Sequence, residues 1–394
     1  MAKRIGLEVS LALAEAVRLA NVDVVAAYPI TPQTHIVEHL AELVADGKLD
    51  AEYIPVESEH SAMSACLGSA AAGARTFTAT AGQGLELMHE VLYVASNMRL
   101  PIVMAVANRA LSAPLNIWGD HSDAMAVRDT GWIQIFTENG QEVIDNTLCA
   151  FRLAGDSRVL LPVMVHLDGF HLTHMIEPMY MPDQEEVNAF LPPHQYPSPL
   201  DPGQPVTMGV VGPPYIYTES KKAQVENLET ARSVIDEVWA DFARKFGREY
   251  HAVETYPAKT TKRPKTLLMT MGSFSETAME AIDKIRDGGK DVGLIRLRLW
   301  RPFPFDQLRE ATAGSELIVV LDRAISFGGP GGPAASEVRS ALYGQEKRPK
   351  IVSIIGGLGG RDITVEGFEQ IVARGLEMSR SANPPEFEMF GVRV

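Results

Sequence analysis

The stretch Ala27-Tyr28-Pro29-Ile30-Thr31-Pro32-Gln33-Thr34 decides how this 394-residue chain is read. It follows an apolar run, Val22 to Ala27, in which the β-branched Val22, Val24 and Val25 favour a pleated strand. Pro29 and Pro32 cannot donate backbone hydrogen bonds, so the strand stops there. Thr31, just before Pro32, is pushed toward extended backbone. A helical run, His35 to Ala45, then begins with its first amides unpaired. A hydroxyl and a helix N-terminus are thereby placed at the carboxyl end of a strand, where open α/β sheets bind ligands. On spacing alone, a plain strand–turn–helix connector is the more economical account.

Outward from that stretch the pattern repeats. Between about residues 5 and 170, short apolar runs (Val22–Ala27, Tyr53–Val56, Arg75–Ala79, Pro101–Ala107, Ile133–Phe136, Val159–Val165) alternate with helical stretches such as Glu8–Leu19, Ser61–Ala72, Leu85–Asn97 and Glu142–Leu153. Strands alternating with helices predict a parallel sheet covered on both faces. Ala65, Gly68, Ser69, Ala71 and Ala72 are small enough for very close helix packing. From Met181 to Tyr215 the chain is Pro-rich and reads as an extended connector without a long helix (about 181–216). A helix is expected over Glu219 to Phe246, stopped by Gly247. Thr266–Met271, Val292–Leu299, Leu317–Leu321 and Ile351–Ile355 read as strands of a second α/β unit. The expected division is 1–250, with connector and helix, then 262–380, then a tail, 381–394. With Pro384-Pro385 and two Phe, that tail reads as docking on a partner rather than forming an element.

Composition narrows the function classes. No run of about 18 apolar residues predicts a membrane helix, and Glu8 interrupts any signal-peptide core, so cytoplasm is the expected location. The net charge is −14. Lys221-Lys222 and Lys262 to Lys265 are islands of solvated charge, and nucleic-acid binding is not expected. Cys66 and Cys149 sit in small or apolar helical stretches and read as buried thiols. Two thiolates cannot hold an iron–sulfur cluster, which needs about four.

Tyr28-Pro29-Ile30-Thr31-Pro32 is not the only distinctive block. Ser58-Glu59-His60-Ser61-Ala62, Thr76-Phe77-Thr78-Ala79-Thr80-Ala81-Gly82-Gln83-Gly84-Leu85, Asn108-Arg109-Ala110-Leu111-Ser112 and Arg128-Asp129-Thr130-Gly131-Trp132 follow in order. Arg301-Pro302-Phe303-Pro304 and Ser326-Phe327-Gly328-Gly329 lie in the second unit. Together these blocks resemble, over most of the chain, the alpha subunit of the 2-oxoacid:ferredoxin oxidoreductases, as in pyruvate:ferredoxin oxidoreductase. The resemblance implies an α/β protein of two thiamine-enzyme-type domains. The first is a pyrimidine-binding parallel-sheet domain, the second a transketolase-C-like domain. It implies oxidative decarboxylation of a 2-oxoacid, pyruvate first, with coenzyme A, giving acyl-CoA, CO₂ and low-potential electrons. An aromatic or branched 2-oxoacid such as phenylglyoxylate is the alternative. A non-redox thiamine decarboxylase or transketolase-like protein, and a non-catalytic scaffold subunit, also stay open.

The same resemblance assigns residues. Decarboxylation needs an electron sink that side chains lack and thiamine diphosphate supplies. Glu59 matches the carboxylate that bonds the aminopyrimidine ring. By residue type alone, Glu57 is a rival, and Glu59 is also explained as an acid favourable to a helix N-terminus. Thr31 and Arg109 match the substrate-binding pair. A guanidinium grips a carboxylate through two parallel hydrogen bonds, though a surface ion pair of Arg109 with Asp120 or Asp123 is the structural alternative. Pro29, Ile30, Gly82 and Gly84 are expected beside the cofactor, glycines allowing close backbone approach. Helix capping explains the two glycines equally well.

Asp120, His121 and Asp123 are expected to line the active-site mouth. The runs Gly328–Pro333 and Gly356–Gly360 read as tight turns near an interface, toward a partner subunit or coenzyme A. No histidine spacing reads as a metal site, His171-x-x-His174 being the nearest. The chain has no Gly-Asp-Gly segment, so the resemblance puts the diphosphate and its Mg²⁺ on a beta subunit that shares the cofactor. Iron–sulfur clusters fall to the partner chains, including ferredoxin-like gamma and delta subunits. Ferredoxin is the expected acceptor, in a dimer of hetero-oligomers.

Overall fold

The computed structural model describes residues 3–257 and 263–393. Lys262, the expected start of the second unit, therefore lies outside the described residues, as do Met1, Ala2 and Val394.

Seven strands build the first sheet, in the order Leu299–Arg301, Ile133–Phe136, Val163–Asp168, Ile102–Asn108, Thr76–Thr80, Val24–Ala27, Glu52–Pro55. All neighbours are parallel except Leu299–Arg301. Ile102–Asn108 is buried at every position, as a strand covered on both faces requires. One face packs on the helices Val9–Leu19, Thr34–Ala45 and Gly140–Ala154 through Leu13, Ile36, Val143 and Leu148. The other packs on Glu59–Ala71, Gly82–Leu87 and His89–Asn97 through Met63, Cys66, Leu85 and Leu92. Cys66 and Cys149 are both buried and free, and burial pushes the Cys66 thiol up to about 12.

Glu388–Met389, Lys350–Ile355, Leu317–Asp322, Thr266–Thr270, Val292–Leu297 and Val253–Tyr256 form a second, six-stranded sheet, parallel but for the last.

Several expectations are corrected. Lys3–Glu8 and Ile176–Met181 form an antiparallel pair that no pattern announced. The long helix starts at Pro214, not Glu219: proline has no N–H to lose at a first helical turn. It ends at Gly247 in the left-handed region (φ 73°), as expected. The connector contains a short helix, Gln184–Phe190, closed by an Asp183/Glu186 capping box. Val292–Leu299 is not one strand. It ends at Leu297, and Leu299–Arg301 pairs instead with Ile133–Phe136 in the first sheet. The tail does form an element: Glu388–Met389 pairs with Ile354 and Ile355, and Phe390 packs on the second core.

Candidate active site

Four adjacent strands of the first sheet, Ile102–Asn108, Thr76–Thr80, Val24–Ala27 and Glu52–Pro55, release their chains on one edge. Arg109, Ala81–Gly84, Tyr28–Thr31 and Val56–Glu59 emerge there. Parallel pairing alone makes these four turns neighbours.

Glu59 opens the helix Glu59–Ala71, whose cap is Ser58 accepting from the Ser61 amide. Its side chain is buried, and among the described residues no hydrogen bond engages its carboxylate. It lies against Gly84, where an added Cβ would stand 2.5 Å from Glu59 Oε1 and 2.5 Å from Thr80 Oγ1. The Thr80 hydroxyl is also buried without a partner. Glu57, by contrast, is exposed and accepts from Ser61 Oγ at 2.6 Å.

Arg109 is buried, with Nε donating to Asn116 O (2.8 Å) and NH1 to Thr31 O (3.0 Å). It makes no side-chain ion pair with Asp120 or Asp123. Its stem lies over Gly82, where a Cβ would approach Cδ to 3.1 Å and where φ is +48°, a conformation that favours glycine. Thr31, Arg109 and Gly82 are thus in direct sequence of contact, and Gly84 carries the series on to Glu59. Thr31 and Pro29 are exposed, and Ile30 is half-buried against the first core. Gln33 is wholly buried beneath them. Its Nε2 donates to Tyr28 O at 2.7 Å, while its Oε1 has no partner.

Asp123 is a correction. Rather than lining a mouth it is fully buried, accepting from the Gly82 and Arg109 amides, Asn108 Nδ2 and the Ala124 amide. Burial pushes its carboxyl up to about 7, against the pull of those donors. His121 is buried too, its Nε2 2.8 Å from Asp168 Oδ1. Asp120 is buried from solvent yet edges a cavity of about 660 Å³ between the two units, walled by Ala110, Asn116, Ser326, Phe327 and Leu358. The run Gly356–Gly360 seats against this chain's own first unit: Gly359 N donates to Asp120 Oδ2 (3.0 Å) and Gly360 N to Gly119 O (2.8 Å).

Gln33 and Asn108 carried no role in the sequence reading. Gln33 had one signal: a polar residue immediately after Pro32 at the head of an apolar helix.

The family described as pyruvate flavodoxin/ferredoxin oxidoreductase, thiamine diphosphate-binding, matches residues 15–240, and pyruvate:ferredoxin oxidoreductase core domain II matches 265–368. Pyruvate synthase subunit PorA of Methanocaldococcus jannaschii is 53% identical over 92% of this chain and 92% of its own length. Ketoisovalerate oxidoreductase subunit VorA of Pyrococcus abyssi is 45% identical over 91% of this chain and 90% of its own. In fold, the chain resembles the 2-oxoglutarate:ferredoxin oxidoreductase of Magnetococcus marinus, solved with 2-oxoglutarate, coenzyme A and succinyl-CoA. The TM-score is 0.74 at 20% identity, over 95% of this chain and 65% of that one.

Proposed function

The chain belongs to the pyruvate flavodoxin/ferredoxin oxidoreductase family, as a subunit of a thiamine-diphosphate-dependent 2-oxoacid oxidoreductase, and on that premise we propose that it supplies the aminopyrimidine and substrate side of an active site completed by a beta subunit. The observation that carries this reading is the largely buried Glu59, whose carboxylate has no hydrogen bond among the described residues, beside the bare backbone of Gly84. A flat heteroaromatic edge fits such a cradle, and Glu59 would accept from it. Glu57, exposed and engaged by Ser61, is the poorer candidate.

Bound thiamine diphosphate supplies the electron sink that decarboxylation requires. This chain's residues would hold and orient coenzyme and substrate. Glu59 would accept a hydrogen bond from the pyrimidine, with Pro29, Ile30, Gly82 and Gly84 as its surroundings. Arg109 turns its guanidinium to the 2-oxoacid carboxylate, and the Thr31 hydroxyl donates beside it. Mg²⁺ and the iron–sulfur clusters belong on the partner chains, which we assign as beta, gamma and delta in a dimer of hetero-oligomers. Coenzyme A is the acyl acceptor and ferredoxin the electron acceptor, in the cytoplasm. Among the described residues no helix is long and apolar enough to cross a membrane. We place the division between the units at 250–262.

Pyruvate is the proposed substrate, because the pyruvate synthase relative is 53% identical against 45% for the ketoisovalerate enzyme. A branched or aromatic 2-oxoacid is the second reading. A substrate panel on the purified complex decides: kcat/KM highest for pyruvate supports the first, highest for 2-ketoisovalerate or phenylglyoxylate the second. In the same complex, Arg109→Ala is expected to lower kcat/KM by about two to three orders of magnitude, the cost of removing one partner of a buried charged contact. Unchanged activity would make the chain a scaffold. The isolated chain is expected to bind thiamine diphosphate poorly, and tight binding by calorimetry would contradict the shared site.

A further inference from the structure

Arg109 cannot aim its guanidinium by its own rotamers alone. Where the arm starts and what it rests on are both set by backbone. The arm starts at the end of strand Ile102–Asn108 and rests on Gly82, in the turn after Thr76–Thr80. Those two backbone points belong to different strands and have no direct tie in the ladder at that height.

One side chain joins them. Asp123 Oδ2 accepts from the Arg109 amide at 2.9 Å and from the Gly82 amide at 3.0 Å. Its other oxygen accepts from Asn108 Nδ2 at 2.9 Å and from its own neighbour's amide, Ala124 N, at 2.7 Å. Four donors converge on a carboxylate with no solvent exposure. Three of them belong to residues of the proposed site or its immediate neighbour, Gly82, Asn108 and Arg109. Buried away from water, these donors have no solvent to turn to, and the low surrounding polarity raises the cost of losing any of them. Asn108 extends the support inward, its Nδ2 lying 3.2 Å from His166 Nδ1.

We infer that Asp123 is a positioning residue for substrate recognition, fixing the Arg109 arm and the Gly82 turn on which it lies in a single geometry. The inference rests on the reading of Arg109 as the carboxylate grip. It gives Asp123 no contact with substrate or cofactor. A positioning fault of about 1 Å is enough to cost a reaction about 10²-fold. Here the cost should fall on binding of the 2-oxoacid carboxylate.

The test is a double-mutant cycle on the purified complex, with Asp123→Asn, Arg109→Ala and the double variant. Asp123→Asn is isosteric, but its amide nitrogen must face N–H donors that now meet oxygen. The expected result is a rise in the 2-oxoacid KM of about 10- to 100-fold with kcat changed by less than about threefold. In the Arg109→Ala background the same change should add less than about threefold, because the arm being aimed is gone. A general folding lesion would instead multiply the two losses. Multiplied losses, or an unchanged KM in Asp123→Asn, overturn the inference alone. Full activity in Arg109→Ala overturns the proposed function itself. If Asp123→Asn fails to assemble, Asn108→Ser takes its place, removing one donor and leaving the three backbone bonds. A KM increase of about three- to tenfold, absent in the Arg109→Ala background, supports the inference. No increase ends it.

Discussion

At Gly84 the missing side chain is the functional group. Glu59 Oε1 and Thr80 Oγ1 would each lie 2.5 Å from a Cβ there, well inside contact distance, so an alanine forces the carboxylate away. Gly84→Ala should leave the fold intact and weaken the response of the complex to thiamine diphosphate by about 10²-fold, the scale of a 1 Å misplacement. Titrating activity with coenzyme checks it, and an unaltered half-saturation would remove Glu59 from the pyrimidine. Thr31, Glu59 and Arg109 could be proposed from the sequence because each lies within four residues of a strand's carboxyl end, in a block with family likeness. Asp123 and Gln33 were not, because their roles are bonds to backbone atoms. Gly82 N, Arg109 N and Tyr28 O leave no trace in residue identities.

The helix Pro333–Leu342 in the second unit shows how an element is completed from a distance. Its N-cap, Gly332, has no side chain to offer. Asp322, at the end of strand Leu317–Asp322, accepts from the Ala334 and Ala335 amides at 2.7 and 3.1 Å instead. A Cβ on Gly332 would stand 2.0 Å from Asp322 Oδ2, so Gly332→Ala should destabilise the protein by about 1–3 kcal/mol through overpacking. Burial pushes the Asp322 carboxyl from 3.8 up to about 7, against the two amides. The folded state therefore holds the proton more tightly than the unfolded chain. The stability this contributes is complete below the ordinary carboxylate range and is lost as pH rises through about 7. Thermal melting between about pH 5 and 8 should show a shallower decline in Asp322→Asn than in the parent protein; parallel curves would count against a protonated Asp322. Elements were read well where periodicity was strong, and their ends were missed where backbone chemistry was overlooked. Pro214 starts a helix that proline was taken to forbid. The apolar run Val292–Leu299 is divided between two sheets, because only the fold decides which sheet edge Leu299 meets.

The two units of the molecule are joined by buried charge, and none of it was visible in the sequence because the partners lie far apart along the chain. Arg296 and Arg298 of the second unit engage Glu138 and Glu142 of the first. Beside the candidate site, Asp168 Oδ1 meets His121 Nε2 at 2.8 Å, while its Oδ2 accepts from the Ser273 amide at 2.8 Å and lies 2.8 Å from Arg323 NH1. Arg323 NH2 donates to Gly119 O, and the guanidinium covers the Phe274 ring at 3.9 Å. Burial alone would raise the Asp168 carboxyl, but Arg323 and His121 outweigh it and hold the group far below the usual range. A depressed carboxylate stabilises the fold above its ordinary value of 3.8 and loses that contribution only as pH falls below it. The Asp168 carboxylate should therefore add no pH dependence of its own between about 5 and 8. Arg323→Ala strands a buried anion and should cost about 3–5 kcal/mol at neutral pH. Pairing it with Asp168→Asn removes the stranded charge and should recover a large part of that loss, since the penalty lies in the unpaired ion rather than in the absent contact. Denaturant unfolding of the four proteins measures the cycle. If the double variant is as unstable as Arg323→Ala, the arginine acts by packing on Phe274, and the electrostatic account of the joint between the units fails.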